Sequence, residues 1–525
     1  TNFEDAEDRT HNGSAVKWLA DISPPGPVVD YPRRPLPVPD STRVRGFAFS
    51  DTDAKYLAAV TGGNAGNFVQ RIEFVSPKVS ERFPLNIDTM LEDISPRGAL
   101  GLVRTAGAMT QDNDRLDVFS FEEDKHVIGW RPYRELVHLE PKWTEVTFSA
   151  FVGEEHVLTL NRGETLVCWK LPDPKPIWQF KQFGETAAIS PDGRYVVGGQ
   201  GWVVDTTSGE CMGQLEPPVY GPRIDDIGFT PDGATIVVTA TTAWTGIRGS
   251  IYRPSSDENF VLEWNARSGK LTSQFWIAPF TSVRRGIQLL RNRYLLIGGT
   301  VLVSLDRKAT IWEYRSSGDV SCSPGPDGYA WLNLSPRARR DTYITAVELP
   351  HPEAKQKMAS ATFYSQVLLY PGAKFNTPDA TLAKRMQDLG FVFDPAAKVT
   401  ATISQSQTSR TEEYRSSRNF TTLPVEVTTV RCTLSISNQQ GRSWVKEMSF
   451  GGYSPNTFYG DAAELQASLA NSGQRGAASF NQTVTIPRCI FPPRQQLGIV
   501  TSDLSLEGIV DRPPPGQPQL QGSQP

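Results

Sequence analysis

The chain has 525 residues, of which 38% are hydrophobic, 10% aromatic and 21% charged, with 43 glycines and 40 prolines. That profile excludes one small domain, a coiled coil and a wholly disordered chain, and fits a turn-rich β protein with room for a second domain. A formal net charge of −4 supplies no general attraction to nucleic acid, so no nucleic-acid partner is expected.

Residues 1–40 are polar and then proline-rich, with Pro24-Pro25-Gly26-Pro27 followed by Pro32, Pro35, Pro37 and Pro39. Proline fixes φ and lacks an N–H, so this stretch is expected to be an extended linker or stalk. Such a stalk implies a membrane tether upstream of Thr1 and a place in the cell envelope. Within it, Val16-Lys17-Trp18-Leu19 is an apolar island expected to dock on the body of the protein.

A repeated plan then runs from about Val44 to Met358, defining a domain over 41–358. Seven units each show a β-rich run, a turn, a strand ending in an aromatic or β-branched residue, a polar turn and one more strand. The strand-ending anchors are Phe74, Phe119, Trp169, Val204, Trp264, Trp312 and Val347. Their spacings of 45, 50, 35, 60, 48 and 35 residues average about 45, the period of a four-stranded propeller blade. Two turns carry the plan most clearly. Ser190-Pro191-Asp192-Gly193 and Thr230-Pro231-Asp232-Gly233 each precede a strand, with proline presetting φ, aspartate accepting local amides and glycine taking positive φ. Weaker versions are Ser95-Pro96-Arg97-Gly98 and Gly325-Pro326-Asp327-Gly328. A second turn, Asp205 to Glu210 and again Asn265 to Lys270, separates the last two strands of a unit.

These motifs together resemble WD40 repeats and the related YVTN-type propeller repeats, over about 315 residues. The Gly-His and Trp-Asp signatures of WD40 repeats are missing, so the resemblance is to the architecture. It implies a mainly β fold, a seven-bladed β-propeller followed by a smaller α+β domain. In such families the first strand completes the last blade, and the alternating Val44-Arg45-Gly46-Phe47-Ala48-Phe49 is the expected closing strand.

From about Ala359 the period stops, and an α+β domain is expected over 359–511, with a disordered tail over 512–525. Thr377-Pro378-Asp379-Ala380 opens a helix to about Asp388 with Leu382, Met386 and Leu389 on one face. A second helix fits Asp461 to Leu469. Strands are expected at Lys398–Gln405, Val425–Ser437, Ser443–Ser449, Ala478–Ile486 and Leu497–Thr501. The domain also resembles small envelope-associated α+β modules.

The chain carries no Gly-x-Ser-x-Gly, His-Glu-x-x-His, Walker A or Gly-x-Gly-x-x-Gly pattern, so no catalytic motif, metal set or cofactor is assigned. The five histidines, His11, His126, His138, His156 and His351, are scattered over different segments. Cys168, Cys211 and Cys322 fall on expected strands, and Cys432 and Cys489 are open to pairing or to remaining free. The acidic pairs Glu122-Glu123, Glu154-Glu155 and Asp225-Asp226 are expected to be loop charges. Among basic clusters, Arg284 and Arg285 with Arg337, Arg339 and Arg340 form a candidate anionic-partner patch, weighed against exposed loops. The expected role is a non-enzymatic interaction scaffold that docks a protein or ligand; the alternatives are a propeller hydrolase or lactonase with a channel site, and a main role for the C-terminal domain.

Overall fold

A computed structural model describes residues 2–11, 16–22, 36–38, 43–50, 56–63, 66–73, 83–85, 89–105, 114–136, 143–218, 222–242, 259–277, 286–316, 322–324, 328–334, 342–350, 367–368, 373–388, 390–416, 422–438, 443–451, 457–458, 462–484, 489–490, 500–505 and 508–511. The fold is mainly β and consists of many small antiparallel sheets. It divides into two compact units, residues 1–250, 259–361 and 499–525, and residues 251–258 and 362–498.

The local turn chemistry forms as expected. Gly193 N–H donates to the Ser190 carbonyl at 2.8 Å and Gly233 N–H to the Thr230 carbonyl at 2.7 Å, with both glycines at positive φ. The Ser190 hydroxyl reaches Asp192 Oδ1 and accepts from Tyr195 N–H, and Thr230 repeats the pattern with Asp232 and Thr235. Each turn therefore satisfies its own polar groups and delivers the chain antiparallel into the next strand. The second turn is equally local: Asp205 Oδ1 accepts from Thr207 and Ser208 N–H, and Asn265 Oδ1 from Arg267 and Ser268 N–H.

In the first unit, consecutive strands pair as meanders. The first sheet is Arg43–Phe49, Tyr56–Gly63, Gly66–Glu73 and Phe83–Leu85; the second is Thr89–Ile94, Leu100–Thr105, Leu116–Ser120 and Lys125–Trp130. The third holds Val146–Val152, His156–Asn161, Leu166–Lys170 and Lys175–Phe180; the fourth, Ala187–Ile189, Tyr195–Gly198, Trp202–Asp205 and Cys211–Gln214. The fifth is Pro222–Phe229, Thr235–Thr242, Asn259–Asn265 and Leu271–Ile277; the sixth, Ile287–Leu290, Tyr294–Ile297, Val301–Ser304 and Ala309–Ser316. The seventh joins Cys322–Pro324, Ala330–Leu334 and Thr342–Val347 to Leu36–Val38.

That seventh sheet corrects the expected closing strand. Val44–Phe49 opens the first sheet, and Leu36-Pro37-Val38 completes the last one, paired antiparallel with Thr342–Ile344. An outermost strand tolerates a proline because one of its edges needs no ladder donor. Part of the expected stalk is therefore sheet. The rest of residues 1–40 also packs where it is described: Glu7–Asp8 pairs parallel with Lys175–Phe180, Phe3 is buried against Tyr133, and Ala20 and Ile22 are buried. The Trp18 island docks as expected, its ring lying against Gly213 and Gly269 while Leu19 N–H donates to the Met212 carbonyl at 2.7 Å.

The hydrophobic cores lie between consecutive sheets. One cluster joins Val38, Phe47, Phe49, Trp331 and Ile344, and another joins Val69, Phe83, Leu91, Val103 and Phe121. Others join the second sheet to the third, the third to the fourth, and the fifth to the sixth. Burying both faces of each sheet in this way accounts for the near-continuous apolar third strands. Of the expected anchors, Phe119, Trp169, Val204, Trp264 and Val347 lie on third strands, while Phe74 is outside the described residues. Trp312 is instead on the fourth strand of the sixth sheet. That strand is not an edge, because Val500–Ser505 pairs parallel with it and Gly508–Asp511 extends the sheet further. The strand expected at Leu497–Thr501 thus belongs to the first unit, and so do the described residues 508–511 at the end of the expected α+β domain.

In the second unit the strands Val399–Ser416, Thr422–Asn438 and Ser443–Phe450 form an antiparallel sheet, longer than expected in its first two members. The helix Ala380–Asp388 is present, with Leu382 and Met386 buried and Asp379 Oδ1 capping Leu382 N–H at 2.8 Å. The second helix runs over Ala462–Thr483, so the strand expected at Ala478–Ile486 is mostly helix. Ala477, Phe480 and Val484 recur at helical spacing in the core with Cys432, Leu434 and Phe450. Gly473 and Gly476 look like breakers but mark a close approach: a Cβ on Gly476 would run into the Phe450 ring. An exposed helical Gly→Ala change stabilises by about 1 kcal/mol. Here Gly476→Ala is expected to destabilise by about 1–2 kcal/mol through overpacking, read as a lower urea midpoint.

Candidate functional site: an arginine pocket on the second sheet

The sequence-derived patch, Arg284, Arg285, Arg337, Arg339 and Arg340, lies outside the described residues. Its neighbours Arg291 and Arg293 have structural partners. Arg291 stacks 4.8 Å from the Tyr329 ring centre, and Arg293 bridges the buried Glu263 to Asp306. Among the described residues no group of three or more His, Cys, Asp and Glu is placed to hold a metal ion. No helix among them is long and apolar enough to cross a membrane.

His126 bonds Asp117 through Nε2 at 2.9 Å, His11 packs on Trp202, His156 opens a strand of the third sheet, and His138 and His351 are outside the described residues. Cys168, Cys211 and Cys432 are free thiols, so Cys432 is not in a disulfide. Burial pushes the Cys168 thiol up to about 12, which keeps it protonated and unreactive in the folded chain. Of the acidic pairs, Glu122-Glu123 sits on an exposed turn as expected, whereas Asp226 is structural and receives the Ile287 N–H.

A different set of arginines is brought together. Arg115, Gly129, Trp130, Arg131 and Arg134 line a cavity of about 290 Å³. Arg115 immediately precedes the third strand of the second sheet, and Trp130 ends its fourth. The chain then turns through Arg131 to the short 3-10 helix Arg134–Leu136. Arg115 and Asp117 stand two apart, on one face of the strand. Asp117 accepts from Arg115 Nε at 3.0 Å and Nη2 at 2.9 Å, a two-point clamp. Asp117 is directly opposite Gly129 in the ladder, and a Cβ there would collide with its carboxylate and lie 2.6 Å from Arg115 Nη2. Only glycine lets this pair lie flat over the neighbouring strand.

Arg131 is fixed in the same manner, donating through Nη1 to the buried Asp114 at 2.6 Å. Tyr133, fully buried, anchors the turn from below: its hydroxyl lies 2.8 Å from the Thr165 carbonyl and 2.9 Å from the Thr159 hydroxyl, and burial raises its phenol well above the ordinary value. Trp130 packs edge-on against Trp169 at 6.5 Å, and its indole N–H is buried with no acceptor among the described residues. Arg134 is exposed and lies in no ion pair among the described residues. Among the described residues, three guanidinium groups and the carboxylates of Asp114 and Asp117 thus gather at a partly apolar cleft. The local signal was Trp130-Arg131-Pro132-Tyr133-Arg134, basic residues interleaved with aromatics; Arg115 joins them only through strand pairing.

No family model and no curated protein matches the chain. Among solved structures it is similar to the Kuenenia stuttgartiensis hydrazine synthase, at 13% sequence identity and a TM-score of 0.42, covering 59% of this chain and 97% of that one.

Proposed function

We propose that the seven sheets of the first unit close into a seven-bladed, WD40-like β-propeller acting as a non-enzymatic scaffold that docks a protein partner. The ring is supported by the packing of first strands on one another. The second sheet's packs on those of the first and third, the fifth's on those of the fourth and sixth, and the seventh's on that of the sixth, while the third and fourth sheets share a hydrophobic cluster. The seventh's meets the first sheet's again. Asn333 Nδ2 donates to the Val44 carbonyl at 3.0 Å across that last junction. A final sheet assembled from both ends of the repeat region removes an open edge, as closure requires.

The observation that carries the scaffold role is how the inner polar side chains are used. A propeller enzyme would gather acids and bases on its first strands. Here Asp93 accepts from Phe151 N–H, Asp226 from Ile287 N–H, and Glu92 pairs with Arg104, each tying strands or neighbouring sheets together. Groups committed in this way stiffen a body whose loops are left to bind. Affinity capture on the immobilised full chain, with a parallel assay of ester and lactone hydrolysis, tests the role. A stoichiometric protein partner without turnover is expected. Hydrolysis abolished by Asp226→Asn in a chain that remains folded would favour the hydrolase alternative and overturn the scaffold.

A further inference from the structure

We propose that the Arg115–Arg131–Arg134 pocket is an oxyanion site that takes a single carboxylate or phosphate group. It lies within the second sheet and its outgoing connection, so it stands or falls independently of ring closure.

Four observations converge on this chemistry. Among the described residues the pocket gathers three guanidinium groups, and the carboxylates that hold two of them are mostly buried, with Asp114 and Asp117 side chains 4% and 14% exposed. Those acids act as backstops. They hold Arg115 and Arg131 in place before a ligand arrives, which removes much of the side-chain ordering cost from binding. Arg134 adds an exposed third guanidinium at the rim.

The indole N–H of Trp130 is the second observation. The Trp130 ring lines the cleft, and its donor, buried with no acceptor among the described residues, carries a desolvation cost there. The third is Gly129, which lines the cavity and whose missing side chain lets the Arg115–Asp117 pair pack flat against it. The fourth is size. A cavity of about 290 Å³ suits one acidic side chain or a small phosphate compound. Guanidinium forks match the planar carboxylate and the phosphate equally well, so the ligand chemistry is shared by two sources: an acidic side chain of a docked protein, and a free small oxyanion.

Titration calorimetry of the full chain with inorganic phosphate and with a hexaglutamate peptide separates the sources. Saturable binding of at least one probe is expected, weakening as salt rises. Tighter binding of the peptide assigns the pocket to a docked protein; tighter binding of phosphate assigns it to a small molecule; both outcomes support the site. Arg134→Ala is expected to weaken binding by about tenfold, from the loss of one charge-assisted contact. Its unfolding midpoint should not move, because Arg134 is exposed and outside any ion pair among the described residues. Trp130→Phe, which keeps an aromatic ring but removes the pyrrole with its donor, should weaken binding by a smaller factor. Failure of both probes to bind, or wild-type affinity in both Arg134→Ala and Arg134→Glu, would overturn the proposal.

Discussion

Val38→Asp is expected to destabilise the first unit by about 3–5 kcal/mol, far more than a change in a free linker could. Val38 is fully buried, its strand is the last of the seventh sheet, and it shares a cluster with Leu36, Phe47, Trp331 and Ile344. A carboxylate there has no cationic partner in the cluster, so it is either desolvated or forces the strand out. Losing the strand would uncover the outer edge of Thr342–Val347. Thermal unfolding and limited proteolysis would show a lower midpoint and earlier cleavage, with Val38→Ile close to wild type. Equal midpoints for Val38→Asp and wild type would mean that Leu36–Val38 is dispensable, as the stalk expectation held.

The second large effect concerns two aspartates that do the same work in different sheets. Asp93 accepts from its neighbour Ile94 N–H and from Phe151 N–H in the next sheet, both at 2.8 Å. Asp226 accepts from Ile227 N–H and Ile287 N–H, both at 2.9 Å. Each sits where its strand bulges, and the extra residue turns the carboxylate toward the following sheet. Replacing either with alanine strands two backbone donors and should cost about 2–3 kcal/mol. Because the two lie in the second and fifth sheets, the double variant is expected to lose nearly the sum, about 4–6 kcal/mol in urea unfolding. Glu122→Ala, on an exposed turn, is the matched control and should change little. Loss in the aspartate variants no greater than in that control would remove the basis for treating these side chains as joints.

The two recurrent turns were fully legible because their geometry is settled within six residues. Ser190 to Tyr195 and Asp205 to Gly209 hold all the donors, acceptors and positive-φ glycines they need. The helix over Ala380–Asp388 was legible for the same reason, although it starts at Ala380 under an Asp379 cap and not with Pro378 in its first turn. Trp312 was misplaced because an aromatic strand end looks the same on a third strand as on a fourth strand that a distant segment covers. The helix expected over Asp461 to Leu469 runs on to Thr483, where Gly473 and Gly476 let it approach Thr428 and Phe450 closely, a contact that only the fold supplies.

By itself, then, the sequence determined what short-range physics controls: a mainly β chain, a repeated four-strand plan, its turns, and a non-repeating C-terminal region. Tertiary structure alone decided which strand completes the seventh sheet, that the C-terminal strand Val500–Ser505 joins the sixth, and that Arg115 meets Arg131 and Arg134. Each of these is a pairing between segments far apart in the chain. Their free energy comes from edges covered, apolar surface buried and opposite charges paired, and no residue carries that information until its partner is in place.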